Sequence, residues 1–284
     1  MALLDADREL ARDGLYAATS PRVDSFDALL GDAGTCDVAV VGGGLAGLSA
    51  AIELRQRGFD VALLEAARIG SGASGRNGGQ ALRGLACDPA TIEAQLGLDE
   101  ARRIDAMTSE AVVLIRQRCA EFSIDCEWRG GALSVATSER KARQLRSDSD
   151  HLAQCYGRPT RWIERAALPQ WVASRRYVAA THDPEAGHLN PLKYCRGLAR
   201  AAAGLGVRLH ERSVVTHCEE TGAALLQLRT ESGAVLRAGQ VLLAGNVHLP
   251  LLAPALAAQI GSRVMPVGTY VVATEPMPCL LYTS

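Results

Sequence analysis

Three glycines, Gly42, Gly44 and Gly47, stand between a short apolar run, Val38-Ala39-Val40-Val41, and a helical repeat of Leu45, Leu48 and Ile52. A four-residue apolar run bounded by glycines reads as a buried parallel strand. Arg55 and Arg57 fill the last helical turn and Gly58 supplies a left-handed stop. A second run, Val61-Ala62-Leu63-Leu64, ends at Glu65. Strand, glycine turn, helix and strand in this order make the crossover unit of a doubly wound α/β sheet. Gly42 permits the tight turn, Gly44 lets backbone approach a pyrophosphate, and Gly47 lets helix and strand pack closely. The helix N-terminus adds N–H donors and a partial positive charge. Glu65, 18 residues after Gly47, is placed to accept hydrogen bonds from ribose hydroxyls. The pattern predicts dinucleotide binding.

The stretch after Glu65 narrows the choice of dinucleotide. A nicotinamide-binding unit would run through a short connection into its next helix, whereas here Gly70-Ser71-Gly72-Ala73-Ser74-Gly75-Arg76-Asn77-Gly78-Gly79-Gln80 intervenes. Glycines and short polar residues let a backbone lie along an extended ligand and donate N–H groups to phosphate. A cofactor longer than its nucleotide half fits this loop better than NAD does.

Around this unit, residues 1–36 lack sustained periodicity and read as an N-terminal arm, with residues 37–87 the first part of the cofactor domain. From Asp88-Pro89 the pattern changes. Ile104, Met107, Ala111, Ile115, Cys119 and Phe122 predict a long helix, and Ala132 to Thr137 an extended piece, so 88–186 reads mainly as an inserted substrate domain. The second part of the cofactor domain, 187–249, contains a helix from Asn190-Pro191 to Gly204 or Gly206 and the strands Val207-Leu209 and Val241-Ala244. Residues 250–278 begin a further substrate-domain segment.

A formal net charge of -1, with 30 basic and 31 acidic residues and no block of either sign, leaves no footprint for nucleic acid or anionic membrane. The first ten residues lack a basic and apolar leader pattern, and no apolar run reaches membrane-spanning length, so a cytoplasmic protein without a membrane span is expected. Eight scattered cysteines form no Cys-x-x-Cys pair and no zinc-like cluster, which predicts reduced thiols and no metal. His182, His188, His210, His217 and His248 are scattered too and read as ordinary hydrogen-bonding residues, and Trp128, Trp162 and Trp171 as packing anchors.

The runs Asp37 to Gly44, Leu64-Glu65-Ala66 and Gly72-Ala73-Ser74-Gly75-Arg76-Asn77-Gly78-Gly79 together resemble flavoproteins of the D-amino-acid-oxidase type. Within that type, the chain is most similar to gamma-glutamylputrescine oxidases, from about Tyr16 through Gly187-His188-Leu189-Asn190-Pro191 and Val241 to Asn246, and on to Val271-Val272-Ala273-Thr274-Glu275-Pro276. The resemblance implies an α/β, Rossmann-like FAD-binding domain with an inserted α+β substrate domain. It further implies that Gly42, Gly44, Leu45, Ala46, Gly47, Glu65 and Ala66 hold the ADP half of FAD, with Arg68 near the adenosine. Gly72, Ala73, Ser74, Gly75, Arg76 and Asn77 would line the pyrophosphate and ribityl chain, and Gly78, Gly79 and Gln80 would approach the isoalloxazine. Val215, hard to separate from Val214, would meet the adenine through its backbone, and Ala244 and Gly245 would end the strand beneath the cofactor.

The activity so implied is oxidation of an amine such as gamma-glutamylputrescine to an imine, hydrolysed to the aldehyde, with dioxygen as acceptor and hydrogen peroxide released. FAD carries that chemistry, so no side chain need act as a strong acid or base and no catalytic residue is assigned. An amino-acid oxidase or dehydrogenase of the same fold, and a protein that holds a dinucleotide without turnover, are the rival readings. The ending Cys279-Leu280-Leu281-Tyr282-Thr283-Ser284 departs from the family pattern and reads as a non-native tail on a fragment, itself expected to be inactive.

Overall fold

The computed structural model describes residues 14–222, 224–265 and 267–269. In chain order its elements begin with α1 (Leu15–Thr19), β1 (Asp32–Val41), α2 (Leu45–Gln56) and β2 (Val61–Leu64). A 3₁₀ turn, Ala73–Gly75, leads to β3 (Gln80–Ala81), α3 (Pro89–Leu96), α4 (Leu98–Glu121), β4 (Arg129–Ala136), α5 (Glu139–Tyr156), β5 (Arg161–Glu164) and β6 (Ala179–His188). Then come α6 (Pro191–Gly204), β7 (Arg208–His210), β8 (Val215–Glu220), β9 (Leu226–Thr230), β10 (Val235–Leu243), α7 (Leu249–Leu252) and α8 (Pro254–Gly261).

The chain divides into two compact units: of the described residues, the first takes 14–79, Arg118–Cys126 and those from Asn190 onward, the second Gln80–Gln117 and Glu127–Leu189. The first unit is built on a six-stranded sheet of order β7-β2-β1-β10-β9-β8. Its pairs β1/β2, β1/β10 and β2/β7 are parallel, and β8, β9 and β10 form an antiparallel meander. Successive side chains of a strand point to opposite faces, so the unbroken apolar runs Val38–Val41 and Val61–Leu64 bury both faces of β1 and β2. Ala39, Val41, Ala62 and Leu64 join Val215, Leu228, Leu236 and Leu249 in one core, while α2 packs against β1, β2 and α6. Asn190 starts α6 by accepting a hydrogen bond from the Lys193 amide at 3.1 Å, with Pro191 at the first helical position.

In the second unit, β6 is the central strand, paired antiparallel to β3, β4 and β5. Trp162 and Trp171 each pack against small apolar clusters flanking this sheet, the packing role their isolation in the sequence suggests. Arg83 grips Asp183 through two nitrogens at 2.6 and 3.1 Å, and Arg158 pairs with Asp105.

Several sequence expectations need correction. The arm contains a helix, α1, and its last residues, from Asp32, are strand: β1 starts six residues before Val38 because Thr35 to Val38 pair with Arg237 to Gln240 of β10. Correspondingly, β10 begins at Val235 and stops at Leu243, not at Ala244. The amphipathic α5, started by Ser138 accepting from the Lys141 amide, and the strands β5, β6 and β9 do not figure in the sequence reading of elements, whereas β8 begins at Val215, in the strand expected after Glu211. The chain passes between units at 79/80 and 189/190 where 87/88 and 186/187 were expected, and returns once to the first unit at Arg118–Cys126. The segments Val271 to Pro276 and Cys279 to Ser284 lie outside the described residues.

Candidate cofactor site

The Gly42-Gly44-Gly47 turn is closed by backbone contacts that leave no room for side chains. Gly42 has φ +119° and donates its amide to Leu64 O at 2.8 Å; a Cβ there would lie 2.5 Å from Ala244 O. A Cβ on Gly47 would lie 2.0 Å from Gly42 O, and one on Gly44 would lie 2.7 Å from Ser74 Oγ. α2 begins as Leu48 N donates to Gly44 O at 3.0 Å, so the amides of Leu45, Ala46 and Gly47 precede the first intrahelical bond. Ser74 Oγ accepts from Leu45 N at 3.0 Å and thereby joins the second glycine loop to this helix end.

The second loop repeats the device of the first. Gly70, at φ +72°, donates to Gly43 O at 3.2 Å, and a Cβ on Gly75 would lie 2.1 Å from Gly70 O. The loop then rests on α6, where Cys195 Sγ donates to Ser74 O at 3.6 Å. Asn77 Nδ2 donates to Ala73 O at 3.1 Å and Ser74 O at 2.9 Å, while its Oδ1 accepts from Gly79 N at 2.8 Å. Arg76 Nε donates to Gly72 O at 3.3 Å. In this structure Arg76 and Asn77 thus brace the loop's own backbone.

Glu65 binds both neighbouring segments. Its Oε2 accepts from Gly43 N at 2.6 Å and its Oε1 from Ala67 N at 2.8 Å. Burial pushes its carboxyl upward, the Ala67 and Gly43 amides pull it down, and the Glu211 charge pushes it up again. Ala66 is half-buried, Arg68 exposed, and Val215 buried as the first residue of β8. Ala244 and Gly245 lie against Gly42. Gln80 pairs with His188 and belongs to the second unit, whereas the other expected residues belong to the first.

Glu211, which sequence reasoning passed over, holds this side of the site together. Its side chain is 0% exposed, accepts from Ile69 N at 2.7 Å and pairs with Arg22. Ser213 Oγ, beside it, donates to Glu211 O and accepts from Leu29 N, each at 2.9 Å. Glu65 N donates to His210 O at 2.8 Å, Ser213 N to Glu65 O at 2.9 Å, and Arg212 N to Ala67 O at 2.9 Å, so residues 210–213 run beside 65–69. The available signal was an acid and a serine, Glu211 and Ser213, lodged between two apolar stretches.

The family profile described as "DAO: FAD dependent oxidoreductase" matches residues 37–283, most of the chain. The chain belongs to this family of FAD-dependent oxidoreductases. It is 39% identical over 260 residues to the gamma-glutamylputrescine oxidoreductase of Escherichia coli, covering 92% of this chain and 59% of that protein. It is 37% identical over 244 residues to the probable oxidoreductase OrdL of Haemophilus influenzae, covering 85% of this chain and 56% of that protein. Among solved structures, an L-amino acid deaminase from Proteus vulgaris superimposes with a TM-score of 0.67 at 26% identity, over 87% of this chain and 62% of that one. The chain therefore spans somewhat more than half the length of its relatives. The family's cofactor is FAD, and the residues fit it: the glycine turn leads directly into α2, whose first amides precede its first intrahelical bond and gather at the helix N-terminus, where a phosphate can be bound. Among the described residues no helix is long and apolar enough to cross a membrane.

Proposed function

We propose that the protein is an FAD-dependent amine oxidase whose substrate is gamma-glutamylputrescine or a similarly blocked diamine. The observation that carries this reading is the 39% identity, over nearly the whole chain, to the gamma-glutamylputrescine oxidoreductase of Escherichia coli. The overall reaction would convert the primary amine, dioxygen and water to the aldehyde, ammonia and hydrogen peroxide. When bound, FAD supplies the hydride acceptor and the electron path to dioxygen.

The chain's own contribution in this reading is to bind and orient. The amides of Ala46 and Gly47 and the hydroxyl of Ser74, itself held by the Leu45 amide, would receive the pyrophosphate. Glu65 spends one lone pair of each carboxylate oxygen on the Gly43 and Ala67 amides and keeps the others for the ribose hydroxyls. Residues 72–79 would follow the cofactor toward its ring, Val215 would meet the adenine through its backbone, and Ala244 and Gly245 would end the strand beneath the cofactor. An amino-acid deaminase is the second reading, favoured by the structural likeness to the Proteus vulgaris enzyme.

The test is a peroxide assay on the full-length flavoprotein across gamma-glutamylputrescine, putrescine, glycine and a set of D- and L-amino acids. Turnover led by gamma-glutamylputrescine supports the proposal. Turnover confined to amino acids, or substrate oxidation without peroxide, would overturn it.

A further inference from the structure

Cys119, in the last turn of α4, and Cys126 bring their sulfurs to 3.5 Å from each other. The approach is built by the turn between them. The helix ends at Glu121, Ser123 adopts φ +53°, and Ile124 N donates back to Cys119 O at 2.8 Å. Ile124 is buried where Gly197 of α6 leaves it room, since a Cβ on that glycine would lie 2.2 Å from Ile124 Cγ2. On the far side, Cys126 O accepts from Asn190 N at 2.8 Å. Both thiols are thus held by backbone that has few alternative conformations, and both are reduced in this structure.

We propose that Cys119 and Cys126 are a redox pair that closes to a disulfide when the protein meets hydrogen peroxide. Cys119, the more exposed of the two, would attack a peroxide oxygen, break the O–O bond and release water as it becomes a sulfenic acid. The Cys126 sulfur then attacks the Cys119 sulfur, the S–O bond breaks, and a second water leaves. Two thiols and one peroxide give one disulfide and two waters. Rotation of the two side chains has to shorten 3.5 Å to about 2.0 Å. Burial raises both thiols, Cys126 to about 12, which slows the attack on peroxide. Once closed, it staples the segment Arg118–Cys126, through which the chain revisits its first unit.

The sequence supplies a convenient readout. Trypsin cuts after Arg118 and after Arg129, so both cysteines leave in one peptide, Cys119 to Arg129. Full-length flavoprotein is reduced, desalted, treated with hydrogen peroxide, alkylated and digested without reductant. The expected peptide is two hydrogens lighter than the dithiol form, carries no alkyl group, and returns to the doubly alkylated form when dithiothreitol precedes alkylation. Cys126→Ser protein that retains flavin should show Cys119 as an alkylated thiol or an oxygen adduct; if that variant does not fold, Cys119→Ser serves in its place. Persistence of the doubly alkylated peptide while other cysteines oxidise overturns the proposal, and so does oxidation of Cys119 to a sulfonic acid without the two-hydrogen loss.

Discussion

Oε2 of Glu65 accepts the amide hydrogen of Gly43 at 2.6 Å, so the acid at the end of β2 is fastened to the glycine turn that ends β1. The same carboxylate reaches Ala67 through its other oxygen at 2.8 Å. Glu65→Ala frees both amides and removes the acceptors proposed for the ribose. Charge-assisted hydrogen bonds contribute about 1.5 to 3 kcal/mol each, so flavin affinity should fall roughly tenfold to a hundredfold. Titration of apoprotein with FAD, followed by flavin fluorescence, measures this. Unchanged affinity would mean that Glu65 serves only the turn.

Glycine substitutions should separate crowding from backbone strain. Gly47→Ala sets a methyl 2.0 Å from Gly42 O, whereas Gly58, at φ +92°, has nothing within 4 Å of its missing Cβ. Overpacking costs about 3 kcal/mol or more at a site that cannot relax, against about 1 to 2 kcal/mol for a left-handed alanine. Gly47→Ala should purify without flavin or not at all, and Gly58→Ala should purify yellow with a modestly lower melting temperature. Equal losses in the two variants would show that the carbonyl of Gly42 yields.

The buried carboxylate of Glu211 should betray its dependence on Arg22. Removing one partner of a buried pair strands the other charge, which typically costs about 3 kcal/mol or more. Arg22→Ala should lower the denaturation midpoint strongly, and adding Glu211→Gln should recover part of that loss. A double variant that is worse than Arg22→Ala by the full cost of Glu211→Gln would show that the two groups act independently.

In the second unit, Glu93 Oε1 accepts from His151 Nε2 at 2.7 Å and from Tyr156 OH. The hydrogen bonds from His151 and Tyr156 hold the Glu93 carboxyl below its ordinary value of 4.5. A carboxyl depressed by folding contributes stability above its unfolded pKa and loses it as the pH falls toward the folded one. Melting temperature should therefore decline as the pH drops below about 4.5, and Glu93→Gln should flatten that part of the profile. Identical acid limbs for parent and variant would count against the assignment.

The first crossover was legible because its constraints are local. Gly42, Gly44 and Gly47 sit between runs whose periods differ, and Glu65 comes directly after a strand that the structure places at Val61–Leu64 as read. What escaped depends on partners far along the chain. Asp32 to Asp37 have no apolar run of their own and become strand by pairing with β10, some two hundred residues later. Glu211 looks like any turn acid until Arg22 and the Ile69 amide are brought to it. Gln80 continues the glycine loop in sequence, yet its backbone pairs with His188. The α5 helix carries so many charged residues that its apolar stripe, including the buried Ala142, is easily passed over.

The paired glycines have a consequence for how this protein can vary. Gly47 lies on the carbonyl of Gly42 and Gly75 on that of Gly70, each pair five residues apart with the earlier glycine left-handed. Every base change that replaces a glycine codon's amino acid adds at least a β-carbon, so from these four positions no single mutational step leads to a side chain that fits. Changing the earlier glycine does not clear the space above it, because the obstruction is a backbone oxygen that every residue carries. A library randomised at residues 42, 47, 70 and 75 and sorted only for retained yellow colour should return glycine at all four, leaving drift to act on the residues between them.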